Sequence, residues 1–483
     1  MPTIEDIERL AKRRGIFYLS SEIYGGLAGL FDYGSTGTLI KRNMENLWRK
    51  FFLHLGENFF EIDASNIMPE KVFVASGHLE NFVDPVAKCK KCGTAHRADH
   101  IAEGVLKESF EGMTPIELTE LIKQHKIRCT KCKGELGDVK VFNMTFPLSI
   151  GSTGEIKAYL RPETAQSAYV NFLQQFEVQR KRLPLGLAIV GKAFRNELSP
   201  RQLTTRMREF TQAELQIFFD PQEIEEHEMW PEVENYMLVV SPADKREQKP
   251  LEMSCSEFAK KYKVPKFYVY HMARVQQFFF DALHVSKDKF RFKELTPEER
   301  AFYNKIHWDM ELNLESMKGW KEIGGVHYRT DHDLKGHEKI SGKSHEIFFN
   351  EKKVVPHVLE LSFGIDRIIY AMLDLFYHKD GDRAVLSLVP TVAPFTVAVF
   401  PLVSKDGIDQ KAKNVHMMLR NICEAFYDDD GSIGRRYARA DEIGIPFCIT
   451  IDYDTMKDGT VTVRNRDDKS QRRVKIEELP MIV

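Results

Sequence analysis

The chain has no strong excess of either charge, no long apolar run and little cysteine for its size. Its 69 Lys and Arg against 71 Asp and Glu leave a formal net charge of -2. A protein that coats nucleic acid through overall positive charge is thereby excluded, and any RNA contact must use local basic patches. The most apolar segment, SLVPTVAPFTVAVFPLV, carries three prolines and stops short of the roughly 20 residues that a membrane helix needs. The first residues, MPTIEDIERLAKRRG, contain acids and no apolar centre, unlike a signal or transit peptide. No internal repeat or low-complexity tract interrupts the sequence. A cytoplasmic globular protein without a membrane partner is expected.

Seven cysteines in 483 residues do not make a disulfide scaffold. Four of them form two pairs, Cys89-Lys-Lys-Cys92 and Cys129-Thr-Lys-Cys132. Two such knuckles can supply four thiolates to a tetrahedral structural zinc. The 36 residues between the pairs exceed a tight ribbon spacing, and two unrelated pairs of free thiols is the alternative. Cys255, Cys423 and Cys448 stand alone and are expected to be core or surface residues.

The length suits about three domains. Residues 1–85 join a Gly-rich segment to a helical pattern through Leu39, Met44, Leu47, Trp48, Phe51 and Phe52. Residues 86–140 hold the cysteine pairs and read as an insertion. Over 141–220 strands alternate with short helices. Residues 221–320 read as a mainly helical, charged insertion with no recognisable chemical motif. Strand patterns return over 321–388 and lead into the helical IDRIIYAMLDLF. After the Pro-punctuated LVPTVAPF, residues 389–483 read as a small α/β unit.

One stretch, FRNELSPRQLTTRMREFTQAE from Phe194 to Glu214, carries four arginines and three glutamates. Strand residues two apart share a face. Read as strands, KAFRNEL puts Arg195 beside Glu197, and RMREFTQAELQIFF puts Arg206, Arg208, Phe210, Gln212 and Glu214 together. Ala213, Leu215 and Ile217 then point the other way. Charges and one aromatic ring converging on a single surface suit a planar anion such as a nucleotide. A solvated, salt-bridged surface is the alternative, with most weight for Arg201 and Arg208. KISGKS at Lys339–Ser344 is no phosphate loop, because position 337, where that loop needs glycine, is His.

With these pieces in place, the chain resembles the homodimeric glycyl-tRNA synthetases, a family of class II aminoacyl-tRNA synthetases, along nearly its whole length. FRNE with RMREF is similar to class II motif 2, HVLELSFGIDRIIY to motif 3, and EIDASNIMPEKVFVASGH, with Pro69, to the dimer-building motif 1. DYGSTG, HRADH, YLRPETAQ, RTDHDL, GSIGRRYARADEIGIPFCITID and TVTVRNRD point to the glycine family in particular. Ser35 departs from it, since proline usually stands there.

The resemblance implies an α+β fold: an antiparallel sheet flanked by helices, a zinc-knuckle insertion and a C-terminal α/β anticodon-binding domain. It implies ATP-dependent ligation of glycine to its tRNA through a glycyl-adenylate, with Mg2+ as cofactor, a homodimer, and no DNA partner. ATP would meet Arg195, Asn196, Glu197, Thr205, Arg206, Met207, Arg208, Phe210, Glu322, Ile323, Glu360, Ser362 and Arg367. In particular, Arg195 would contact the α-phosphate and Arg206 the distal phosphates. Phe210 and Arg367 would cover the two faces of adenine, and Glu197 would read its amino group. Glu322 and Glu360 are the magnesium candidates, with ordinary strand-end charges as the alternative.

Glycine offers only an ammonium and a carboxylate. The family pattern surrounds it with Arg97, Glu163, Phe210, Gln212, Glu214, Glu360 and Ser362, while Arg161 is either a carboxylate ligand or structural. Arg435, Arg436, Arg439, Arg464 and Arg466 are expected to give the C-terminal unit a basic face for RNA. Lys88, Lys90, Lys91, Lys131 and Lys133 beside the knuckles are candidates for the acceptor stem. Two rivals remain: a synthetase for another small amino acid, and an inactive relative like the mitochondrial DNA polymerase accessory subunit. The latter would be expected to lose the ATP arginines and the glutamates.

Overall fold

The computed structural model describes residues 2–108, 110, 112–198, 200, 203–246 and 248–482. Arg201 lies outside them. The centre of the molecule is a nine-stranded sheet. Its strands are β1 (Phe59–Glu61), β2 (Leu185–Phe194), β3 (Glu209–Phe219), β4 (Met237–Ser241), β5 (Leu251–Ser254), β6 (Phe290–Glu294), β7 (Ile306–Leu314), β8 (Gly319–Thr330) and β9 (His357–Gly364). Their order is β5-β4-β6-β7-β8-β9-β3-β2-β1. Pairing is antiparallel except for β1 with β2 and β4 with β6.

Period-two alternation gives the sheet two unlike faces. On one face Leu215 and Ile217 of β3, Leu359 and Leu361 of β9, Val326 of β8, and Trp308 and Met310 of β7 are buried in one core. Helix Ser35–Phe52 packs Ile40, Met44, Trp48 and Phe52 against it, and helix Ile365–Leu375 adds Ile368, Ile369 and Met372. These four residues of the first helix recur at every fourth position, which gives the helix a stripe along one side to bury. On the opposite face, helix Ala165–Val178 covers only one end of the sheet through Phe172 and Phe218. Polar residues occupy the part it leaves open.

Residues 221–320 correct the expectation of a mainly helical insertion. They supply β4, β5, β6 and β7 to the central sheet, with helices Cys255–Tyr262 and Lys266–Gln277 packed nearby. Sheet pairing here wins over the charge-rich composition, because aromatic and aliphatic residues such as Phe290, Phe292, Trp308 and Met310 fill the common core. The knuckle region is a separate small sheet built on strands Val83–Cys89, Ala95–Arg97 and Leu136–Asn143, with helices Ala98–Leu106 and Pro115–Gln124.

The C-terminal unit is a five-stranded sheet in the order Ala425–Tyr427, Val397–Pro401, Phe447–Ile451, Thr460–Asn465, Gln471–Lys475. Helix Ile408–Arg420 and helix Ile433–Glu442 pack against two distinct cores of this unit. Of the residues expected to form its basic face, Arg436, Arg464 and Arg466 are buried. Arg464 forms a two-bond pair with Asp441 at 2.9 and 3.0 Å, and Arg466 donates to the Gly444 and Leu388 carbonyls. These three are structural, since a guanidinium withdrawn from water must be paired inside the fold. Arg435 is exposed, and Arg439 pairs with Asp428.

Ser35 is the first residue of its helix, a position that favours proline. Gly342 ends helix His332–Ser341 in the left-handed conformation, φ 72°, so KISGKS is a helix terminus.

Candidate active site

Four neighbouring strands, β3, β9, β8 and β7, present two polar rungs on the open face. Gln216, Glu360, His327 and His307 stand opposite one another in the first rung. Glu214, Ser362, Gly325 and Asp309 form the second. Above them lies a cleft of about 250 Å³. It is lined by Glu163, Arg195, Glu197, Thr205, Arg206, Met207, Phe210, Gln212, Glu214, Glu322, Ile323, Glu360, Ser362 and Arg367, all expected from the sequence. Tyr303, His307, Asp309, Gly325 and His327 also line it and were not expected.

The arginines occupy one end. Strand β2 stops at Phe194 and β3 starts at Glu209, so Arg195, Glu197, Arg206 and Arg208 sit on the connecting loop and not on strands. The loop folds back on itself: Arg206 Nε donates to Glu197 Oε2 at 2.8 Å, and the Arg195 amide donates to the Arg208 carbonyl at 2.9 Å. The Arg195 guanidinium lies 5.2 Å from the Phe210 ring centroid. Arg367, on the first turn of its helix, donates to the Thr205 carbonyl at 3.0 Å and to Glu322 Oε1 at 2.7 Å.

The carboxylates occupy the other end. Glu214 accepts from Thr164 Oγ1 at 2.6 Å, Ser362 Oγ at 2.7 Å and Gln212 Nε2 at 3.0 Å. Glu360 Oε2 accepts from Arg329 Nη1 and Gln216 Nε2, both at 2.9 Å. Glu163 accepts from Gln166 Nε2 at 2.9 Å and lies 3.4 Å from both Arg329 and His78. Arg329 is wholly buried, paired also with Asp333, and its guanidinium lies 3.9 Å from the Tyr303 ring centroid.

One guanidinium facing four carboxyls cannot neutralise all of them, and burial penalises each charge left over. Burial pushes Glu360 up to about 8, with Arg329 opposing it and Glu214 and Glu163 adding to it. Burial, and then Glu163, raises Glu214. Against burial, His78 and Arg329 hold Glu163 well below the usual range. Burial, helped by His307 and Arg329, keeps His327 neutral. The result is a pocket short of positive charge, which a substrate ammonium can supply.

The expectations for Arg97, Asn196 and Arg208 change. Arg97 is not in the cleft lining; it pairs with Asp84 and Asp99 in the knuckle domain. Asn196 and Arg208 are likewise outside the lining, their backbone and side chain bracing the loop through Met144, Glu197 and Ala28. Of the two readings left open for Arg161, the structural one fits: it is 2% exposed and donates to the Lys192 and Ala64 carbonyls. Glu360 stands opposite His327, five residues along β8 from Glu322. Glu322 pairs with Arg367 at the arginine end of the cleft and Glu360 with Arg329 at the carboxylate end.

The cysteine pairs do converge. The Sγ atoms of Cys89, Cys92, Cys129 and Cys132 all lie within 4.8 Å of one another, with Cys89–Cys132 at 3.5 Å and Cys92–Cys129 at 3.7 Å. A tetrahedron with Zn–S near 2.3 Å has edges of about 3.8 Å, so the donor set fits zinc. Pairing of the flanking strands, Val83–Cys89 with Leu136–Asn143, closes the long gap in sequence. The five lysines beside the knuckles are exposed.

A two-rung sheet with arginines at one end and a carboxylate pocket at the other is the catalytic platform of a class II tRNA synthetase. Residues 149–376 match the family described as tRNA synthetase class II core domain (G, H, P, S and T), and residues 396–483 match the anticodon binding domain. The glycine–tRNA ligase of Pyrococcus furiosus is 40% identical over 99% of this chain and 97% of its own. That of Methanocaldococcus jannaschii is 38% identical over 98% and 97%. The chain belongs to the glycine–tRNA ligase family. The Pyrococcus alignment runs over 561 positions, more than this chain's 483 residues, so that relative has segments missing here. The fold is also similar to a Giardia lamblia prolyl-tRNA synthetase in complex with prolyl-adenylate, with TM-score 0.59, 13% identity, and coverage of 99% of this chain and 76% of that one. A Cryptosporidium parvum threonyl-tRNA synthetase structure gives TM-score 0.58 and 14% identity, covering 99% and 96%.

Proposed function

We infer that the protein ligates glycine to tRNA in two steps on this sheet. The glycine carboxylate attacks the α-phosphorus of ATP in line, giving glycyl-adenylate and pyrophosphate. The terminal ribose hydroxyl of the tRNA then attacks the adenylate carbonyl and releases AMP. Positioning and fixed charge account for the acceleration, and no side-chain nucleophile takes part. The observation that carries this reading is the division of one cleft into an arginine end and a carboxylate end.

Arg195 would hold the α-phosphate and Arg206 the distal phosphates, after Arg206 exchanges Glu197 for phosphate. Phe210 and Arg367 would sandwich adenine, with Glu197 at its amino group. Glu322 would hold Mg2+ against the phosphates; Glu360 belongs with Glu214 and Glu163 around the ammonium. The four thiolates would hold a structural zinc, whose chemistry is to fix the knuckle fold. A homodimer built around Pro69 and a tRNA contact through Arg435 and Arg439 complete the reading. No helix among the described residues is long and apolar enough to cross a membrane.

Amino-acid-dependent pyrophosphate exchange tests this directly. Exchange with glycine alone among the twenty amino acids is expected. Activation of a different amino acid, or of none, would overturn the assignment.

A further inference from the structure

His327 and His307 are cleft residues without a part in holding ATP or the ammonium. Their rings are 4.1 Å apart between centroids, and Asn304 bridges them through contacts of 3.1 Å to His327 Nδ1 and 3.3 Å to His307 Nδ1. His307 Nε2 is held at 3.0 Å from Asp309. His327 Nε2 lies 3.5 Å from Glu360 Oε1, the oxygen opposite the one that Arg329 and Gln216 hold. The two rings are therefore fixed from several sides.

They also lean over the next rung. A Cβ added to Gly325 would come within 2.6 Å of His327 Nε2 and 3.0 Å of His307 Nε2. Gly325 lies between Ser362 and Asp309, the place with least side chain on the cleft floor. Without the imidazoles this place would be an open recess beside the carboxylates. With Glu214 and Glu360 at the ammonium and Arg195 toward the α-phosphate, as proposed above, the substrate α-carbon would lie over the Ser362–Gly325 rung. Gln212 and Glu214 are fixed by hydrogen bonds on the β3 side. The recess on the β7 side is the remaining room for a substrate side chain.

We propose that the His327–His307 pair is the wall that fills this recess and makes the pocket reject amino acids bearing a side chain, alanine first. The inference rests on the glycine-activating reading above. Both rings act by occupying volume, so they are specificity-determining residues and carry no proton in the reaction. A steric wall discriminates well against a larger substrate, and removing it should release about 10- to 100-fold of that discrimination.

The test is pyrophosphate exchange with glycine and with alanine for the wild-type protein, His327→Ala and His307→Ala, each checked by thermal unfolding. The ratio of glycine to alanine kcat/KM is expected to fall about 10- to 100-fold in His327→Ala and by less in His307→Ala. A ratio unchanged in both folded variants overturns the proposal. So does a parallel loss of both activities, which would make the rings catalytic. If His327→Ala does not fold, His307→Ala decides alone by whether its ratio falls. Failure of the wild-type protein to activate glycine would instead defeat the functional reading.

Discussion

Arg329 Nη1 donates to Glu360 Oε2 at 2.9 Å at the bottom of the carboxylate end, where both groups are buried. The same guanidinium reaches Asp333 and Glu163. Arg329→Ala would leave these acids without their cation, and breaking such a buried set costs about 3–5 kcal/mol. Chemical denaturation is expected to register a loss of that size. Arg329→Lys, which keeps a charge but loses the planar fork, should fold better and raise the glycine KM by about 10-fold or more.

Glycine binding should depend on pH with a defined sign. Glu360 is raised to about 8 by burial, so the free protein holds that carboxyl protonated below this value. An ammonium pairs with the ionised form, and binding must therefore expel a proton. The glycine KM is expected to fall as pH rises from about 6 to about 8 and to level off above. Calorimetry in buffers of different ionisation enthalpy should detect the released proton; a KM independent of pH, without proton release, would contradict this.

Arg367→Ala should lower pyrophosphate exchange by about 100-fold or more, the scale seen on removing one preorganised charge-stabilising group. Its side chain is 31% exposed, so the melting temperature should hardly move. Unchanged exchange would remove Arg367 from the nucleotide site.

Metal analysis of gently purified protein is expected to find close to one zinc per chain. Cys129→Ser should reduce zinc content and loosen the knuckle domain, detected by faster amide exchange over 83–143. Less than half an equivalent of zinc in the parent protein would defeat the assignment.

In the anticodon-binding unit, Arg464→Ala should destabilise the fold, because Asp441 loses its two-bond partner. Arg435→Ala should leave stability alone and weaken tRNA binding, reducing the salt slope by about 0.7–0.9 per lost phosphate contact. An Arg435→Ala protein that keeps the parent's tRNA affinity and salt slope would move the RNA face elsewhere.

The arginines and glutamates were legible because each sits in a short segment whose residue types suit phosphate or ammonium. Their positions on loop or strand were less so: Arg195 and Arg206 lie just beyond the strand ends, and pattern reading carried the strands through them. The wall residues were missed for a different reason. IHWDMELNL alternates, with Trp308, Met310 and Leu312 in the core and His307, Asp309 and Glu311 opposite. That period-two signal was present but hidden by the charged, helical look of its surroundings. His327 and Arg329 share the same face of β8 by the same rule, yet only their cross-strand partners, Glu360 above all, disclose what they do. Burial of Arg464 and Arg466 depends on Asp441 and on the Gly444 and Leu388 carbonyls, distant in sequence, which local pattern does not report.

The central claim is that one sheet grips ATP and glycine side by side. A crystal structure of the protein with glycine and a non-hydrolysable ATP analogue tests it most directly. The ammonium is expected within hydrogen-bond distance of Glu214 or Glu360, with the α-phosphate at Arg195 and adenine between Phe210 and Arg367. Either ligand bound away from these residues would contradict the account.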